Sequence, residues 1–145
     1  MLQLRHKAYF FLLTLLLNFA WELSHCSLYI TCIEEPYKLH LLGMMALKDS
    51  LLLTGLLLII LYFSEKRINK KTYAYLFILG IAISAILEGV SLWLQRWEYT
   101  PSMPTLFNIG ISPLVQLAIT SVLALWMSTH KQLTSQKNAI LPLIF

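Results

Sequence analysis

Glu22, Lys48, Asp49 and Glu88 stand inside stretches that otherwise hold almost nothing but apolar residues. An ionisable side chain at mid-membrane costs roughly 2.5–3.5 kcal/mol on insertion scales, about 10–14 for four before pairing, so a chain that keeps four of them marks a site. The chemistry such a set offers is proton exchange. Three carboxylates and one ammonium in one layer imply a retained proton, because desolvation and a like-charged neighbour both favour the neutral acid. A neutral carboxyl in an apolar pocket can serve as a general acid on an alkene, as the exchanging group of a proton-coupled carrier, or as a donor to a lipid headgroup. Glu22, Glu88 and Asp49 are therefore the candidate catalytic residues.

Their neighbours repeat at helical spacing. At 100° per residue Thr14, Asn18, Glu22 and His25 share one face, Ser84, Glu88, Ser91 and Gln95 a second, and Thr105, Asn108, Ser112 and Gln116 a third. Counting 1.5 Å per residue, Glu22, Asp49, Glu88 and Ser112 lie about 8 to 15 Å below the outer surface, which predicts a polar cavity in the outer half. Asn18, Trp21, His25, Lys48, Trp97, Tyr99, Asn108, Ser112 and Gln116 are its candidate substrate-binding residues, with Trp21, Trp93 and Trp97 as an apolar or cation-stabilising wall. The Ser, Asn and Gln members also suit plain helix contacts, where a hydrogen bond averages about 0.6 kcal/mol; a gain of that size does not offset a buried carboxylate. Lys48 and Asp49 are adjacent and so about 100° apart on a helix. One faces the site, while the other pairs with a neighbouring helix or snorkels; a Glu88–Lys48 ion pair is the natural pairing.

Other motifs carry less. Glu22-Leu23-Ser24-His25 has the Glu-x-x-His spacing of carboxylate-bridged metal pairs, but the second such element is missing and Lys48 would repel a cation. No metal and no cofactor is expected. Cys26 and Cys32 lack Cys-x-x-Cys spacing and read as inert thiols, with a disulfide open to them if the helix ends in between. Ser24 and His25 diverge on a helix, so they make a poor nucleophile and base. The segment Arg96-Trp97-Glu98-Tyr99-Thr100-Pro101-Ser102-Met103-Pro104 reads as a rigid lid or as an aromatic belt with a tight turn. Pro113, in Gly110-Ile111-Ser112-Pro113, is placed to open a helix toward the site.

The elements that must position these groups follow from composition. Of 145 residues 58% are hydrophobic and 12% charged, where a soluble domain carries about 25% charged residues; mean hydropathy is +0.69. Four apolar runs of spanning length can be drawn, over 8–30, 39–63, 72–95 and 106–129, given the roughly 17–25 residues a crossing needs. The fold class expected is an all-α polytopic membrane protein, residues 1–145 forming a single four-helix transmembrane domain in an antiparallel bundle. Arg5, Lys7, Lys66, Arg67, Lys70, Lys71, Lys131 and Lys137 fall on one side against Lys38 and Arg96 on the other, which places both termini in the cytoplasm of a bacterial inner membrane. The net charge of +4 belongs to that asymmetry, and no nucleic-acid partner is expected. Arg5, His6 and Lys7 before Ala8 to Leu17 imitate a signal peptide, but the pattern continues through Asn18, Trp21, Glu22 and His25 without a small-residue cleavage site. The tail from Ala139 to Phe145 is apolar but too short to cross.

The combination Asn18-Phe19-Ala20-Trp21-Glu22, Glu88, Arg96-Trp97-x-Tyr99 with Met103-Pro104, and Gly110-x-Ser112-Pro113-x-x-Gln116 resembles a family of small bacterial four-helix membrane proteins, uncharacterised in activity, over nearly the whole chain. More distantly, an acid followed by Trp-x-Tyr and a Gly and Pro pair is similar to the lycopene cyclase type of carotenoid membrane protein. That resemblance implies an isoprenoid substrate and acid catalysis, although Pro113-Leu114-Val115-Gln116 lacks the two Glu residues of that family's Pro-x-Glu-Glu element. A faint internal echo, Glu34-Glu35-Pro36-Tyr37 against Glu98-Tyr99-Thr100-Pro101, suggests two parallel helical hairpins with a site between them.

The function expected is a carboxylate-containing pocket that binds, or converts by acid–base chemistry, a membrane lipid, an isoprenoid or another apolar small molecule. The alternatives are a small proton-coupled transporter working as a homodimer, and an assembly subunit whose buried charges meet a partner. The nearly all-apolar run Ala8 to Leu17 favours a one-sided pocket over an alternating pathway.

Overall fold

The structure, a computed structural model, describes residues 4–34, 38–65 and 67–140, with side chains over 6–34, 38–65 and 67–130. Along the chain lie α1 (Leu4–His25), a 3-10 turn (Cys26–Leu28), α2 (Ile30–Glu34), α3 (Lys38–Phe63), α4 (Lys70–Trp93), a hairpin of β1 (Thr105–Leu106) and β2 (Ile109–Gly110), and α5 (Ile111–Ile140). Four segments are long and apolar enough to cross a membrane: His6–Leu28, Lys38–Phe63, Lys70–Trp93 and Ile111–His130. This is the length and composition of a multi-pass membrane protein. Glu35, Pro36 and Tyr37 of the internal echo, and the apolar tail beyond Ile140, lie outside the described residues.

Backbone groups at helix ends need partners, and the ends show how each is met. Asn69 caps α4 reciprocally: its side chain accepts from the Thr72 amide at 3.2 Å, and the Thr72 hydroxyl accepts from the Asn69 amide at 3.2 Å. At the other end of α4, Gln95 adopts a left-handed conformation (φ 53°). Its amide donates to the Leu92 carbonyl and the Arg96 amide to the Ser91 carbonyl, each at 3.0 Å, the paired bonds of a Schellman stop. Gln95 is therefore exposed beyond the helix end and does not extend the face of Ser84 and Glu88.

Two expected boundaries shift for local reasons. The first long helix stops at His25, five residues before the expected end, because Cys26–Leu28 tighten into a 3-10 turn and Tyr29 is extended (φ −118°, ψ 127°). The last helix begins at Ile111 and not near 106, because Thr105 pairs with Gly110 and Leu106 with Ile109 around Phe107 and Asn108. Both turn residues have positive φ, 52° and 63°, as a two-residue hairpin turn requires. Pro113 then falls in the first turn of α5, where a missing N–H removes no helical bond. It starts the helix and does not open it.

α1 packs along both α3 and α5, and α4 packs along α5; α3 and α4, although consecutive, touch much less. In lipid, close packing and not apolar burial draws helices together. At Gly80 the backbones of α4 and α5 come close, and a Cβ there would lie 2.7 Å from the Ala118 Cα. Toward the α3–α4 turn the interior is sealed by Phe10, Leu53, Leu57, Leu76 and Leu125. At the opposite end, called the cap end below, a smaller cluster of Tyr29, Cys32, Leu42 and Met103 lies under the two connecting segments.

Candidate functional site

Between the sealed half and the cap end, polar side chains from three helices meet on one amide. Gln116, in the second turn of α5, places Nε2 2.8 Å from Glu22 Oε1 on α1, 3.1 Å from Asp49 Oδ2 on α3, and 3.3 Å from Asn18 Oδ1 on α1. An amide nitrogen carries two protons, so three acceptors compete for two N–H groups. One neutral side chain thus draws together two carboxylates from different helices. Asn18 is fully buried; its Nδ2 donates to the Thr14 carbonyl at 2.9 Å and its Oδ1 accepts from Thr120 Oγ1 at 3.1 Å. Thr120 was not among the sequence candidates, although it lies four residues after Gln116 and therefore on the same face.

His25 closes the cap side of this unit. Its Nε2 stands 3.5 Å from Glu22 Oε2, and its ring lies 5.4 Å from the Tyr29 ring, centre to centre. Nδ1 of His25 is buried without a partner, as is Oγ of Ser84 on α4.

A second carboxylate station lies on α4. Glu88 Oε1 accepts from Tyr29 OH at 3.0 Å, from Trp97 Nε1 at 3.1 Å and from Tyr99 OH. Tyr99 OH accepts in turn from the Gly110 amide at 2.9 Å. Burial, reinforced by the Glu88 charge at Tyr29 and by the Glu88 hydrogen bond at Tyr99, pushes both phenols well above the usual tyrosine range. Both therefore stay O–H donors. Tyr29 was missed in the sequence, where it reads as the last residues of an apolar span.

The backbone explains why three donors from distant segments converge. Tyr29 and Tyr99 form an antiparallel bridge, flanked by the Ile30 amide on the Glu98 carbonyl and the Thr100 amide on the Leu28 carbonyl, each at 2.9 Å. Cys26 and Cys32 are joined as a disulfide with Cα atoms 5.5 Å apart, which corrects their reading as inert thiols. The helix ends at His25, so the turn between the cysteines brings them within the bridging range. The Trp97 to Pro104 segment is thus laced to the segment after α1 and forms a cap anchored on Glu88.

Several other candidates fall elsewhere. Lys48, about 100° round α3 from Asp49, is exposed, and Glu88 takes aromatic donors in place of the expected lysine. Asn108 is exposed at the hairpin tip because the last helix starts after it. Trp93 is 81% exposed and forms no wall. Trp21 does reach inward, donating from Nε1 to Ser112 Oγ at 3.2 Å and tying α1 to α5. The outer seam of α1 and α3 carries an apolar groove of about 390 Å³ lined by Leu15, Leu16, Phe19, Gly43 and Leu47. None of the carboxylates lines it.

What the arrangement can do chemically is hold and pass protons. Glu22, Asp49 and His25 are linked directly or through Gln116, and Asp49 lies within electrostatic reach of Glu88 as well as Glu22. No family model, no curated protein and no solved structure matches this chain, so its function has to be argued from this cluster.

Proposed function

We propose that this protein binds a membrane lipid or an isoprenoid in the polar cluster and offers it Glu22 and Asp49 as an acid–base pair. The observation that carries this reading is the sharing of Gln116 Nε2 by the two carboxylates. A donor set too small for its acceptors keeps one carboxylate available to a proton or to a ligand. Glu88, held by three donors, is a positioning residue that fixes the cap. Entry is lateral, through the seam of α3 and α4, which touch little although they are consecutive. The apolar seal formed by Phe10, Leu53, Leu57, Leu76 and Leu125 argues against a polar route to the other side, and so against an alternating carrier.

The same reading sets the chain as an antiparallel four-helix bundle in a bacterial inner membrane, with both termini in the cytoplasm and the cap outside. The Lys and Arg asymmetry supports that orientation. A disulfide in the cap suits an oxidising outer compartment.

The test is to purify the wild type and the Glu22→Gln/Asp49→Asn double variant in mild detergent and to compare their organic extracts by mass spectrometry. A discrete lipid or isoprenoid should accompany the wild type and be lost from the variant. Matching extracts without an enriched species would sink the proposal.

A further inference from the structure

We infer that one face of α4, starting at its first turn, is the docking surface of an anionic phospholipid, whose phosphodiester meets Arg67, Lys70 and Lys71 and whose acyl chain lies along Tyr75, Ile78 and Leu79. The surface is on the outside of the bundle, at the end away from the cap, and does not depend on the polar cluster.

Charge names the partner. Arg67, Lys70 and Lys71 are all exposed, and among the described residues no carboxylate stands within ion-pair distance of any of them. The turn keeps them together: the Thr72 hydroxyl donates to the Arg67 carbonyl at 3.4 Å, so the chain folds back onto the start of α4. Like charges gathered in this way repel one another. Lys70 and Lys71 also occupy the first turn of α4, which holds no acidic residue, and there the helix dipole disfavours a cation. Orienting the chain in a membrane asks only that cations lie on this side, and positions at the C-terminal end of α3 would meet that need with the dipole in their favour. An anion brought to these three residues offsets both costs.

The rest of the face assigns the anion to a lipid. At 100° per residue Lys71, Tyr75, Ile78 and Leu79 lie within about 100° of one another, and Lys71 is about 180° from Gly80, where α4 presses on α5. Tyr75, Ile78 and Leu79 are accordingly exposed, within a helix long and apolar enough to cross a membrane. Ile78 and Leu79 lie about 10–12 Å further along α4 than Lys71, which is acyl-chain depth when the lysines stand at headgroup level. An exposed edge-on pair, Tyr62 and Phe63, ends the neighbouring α3, as aromatic residues do at the membrane surface. A cationic head, an aromatic ring below it and an apolar strip below that match an anionic lipid from headgroup to chain. A soluble acidic partner would use the charges alone.

The full-length protein in dodecylmaltoside is titrated with phosphatidylglycerol and with phosphatidylethanolamine of identical acyl chains, and bound lipids are counted by native mass spectrometry. The expected result is phosphatidylglycerol binding about tenfold tighter than phosphatidylethanolamine. Lys70→Gln/Lys71→Gln should remove that preference, whereas Lys38→Gln/Arg96→Gln, which takes the same charge from exposed positions at the cap end, should keep it. Circular dichroism shows whether each variant is folded; if Lys70→Gln/Lys71→Gln is not, Arg67→Gln takes its place and should weaken the preference severalfold. Equal binding of the two lipids by the wild type overturns the inference, as does an equal loss in both double variants, which would make net charge the cause. Glycerol phosphate binding as tightly as phosphatidylglycerol overturns the acyl strip, and with it the lipid surface.

Discussion

The phenol of Tyr29 donates to the carboxylate of Glu88 over 3.0 Å, joining the turn after α1 to the last turns of α4. Because Trp97 and Tyr99 donate to the same oxygen, Glu88 gathers three aromatic side chains of the cap on one carboxylate. Tyr29→Phe removes one donor and should cost about 1–2 kcal/mol, whereas Glu88→Leu strands one buried and two half-buried donors and should cost about 3 kcal/mol or more. Unfolding in mild detergent measures both. If Glu88→Leu were no worse than Tyr29→Phe, the cap would be held by other contacts.

Gln116→Leu takes the shared donor from Glu22 and Asp49, and should destabilise the protein by about 2–4 kcal/mol. Adding Asp49→Asn to Gln116→Leu should recover part of that loss, because one of two like charges is then neutral. The interaction energy expected from the double-mutant cycle is about 0.5–3 kcal/mol. Strict additivity would show that the two carboxylates do not communicate through Gln116.

Two glycines of α4 should respond in opposite directions. At Gly80 a Cβ would stand 2.7 Å and 2.8 Å from backbone atoms of Ala118, while at Gly89 nothing lies within 4 Å. Gly80→Ala must push α4 away from α5 and should cost about 1–3 kcal/mol. Gly89→Ala relieves only the entropic cost of glycine in a helix and should gain about 0.5–1 kcal/mol. Thermal melts of the two variants side by side make the comparison.

Alkaline pH should weaken the fold through the cap. The Tyr29 and Tyr99 phenols are raised above the ordinary value of 10.0, so the native state holds their protons more tightly than the unfolded chain. Their contribution is complete below about pH 10 and is lost as pH rises beyond it. These two phenols should show phenolate absorbance only on unfolding, and Tyr29→Phe should flatten the alkaline fall in stability. An alkaline fall in stability that Tyr29→Phe leaves unchanged would contradict this.

Spans were legible because a run of apolar residues is a local property, and the polar layer was legible because a helix repeats every 3.6 residues whatever surrounds it. Asn18, Glu22, Asp49 and Gln116 were found that way, and they do meet. Lys48 and Trp93 were misplaced within regular helices, where they face outward; other misassignments arose where the helix was assumed to continue. Asn108 left the site because Phe107 and Asn108 take positive φ and turn a hairpin, and the cysteines pair because α1 stops at His25.

By itself the sequence determined that Glu22, Asp49 and Glu88 fall inside apolar helices long enough to cross a membrane. Only the tertiary structure decided their partners: Gln116, 94 positions from Glu22 and 67 from Asp49, for two of them, and Tyr29, Trp97 and Tyr99 for the third. Depth and facing are set by the pitch of one helix. Partners are set by which helices pack together and by how two connecting segments pair across the cap, and both depend on contacts between residues far apart in the chain.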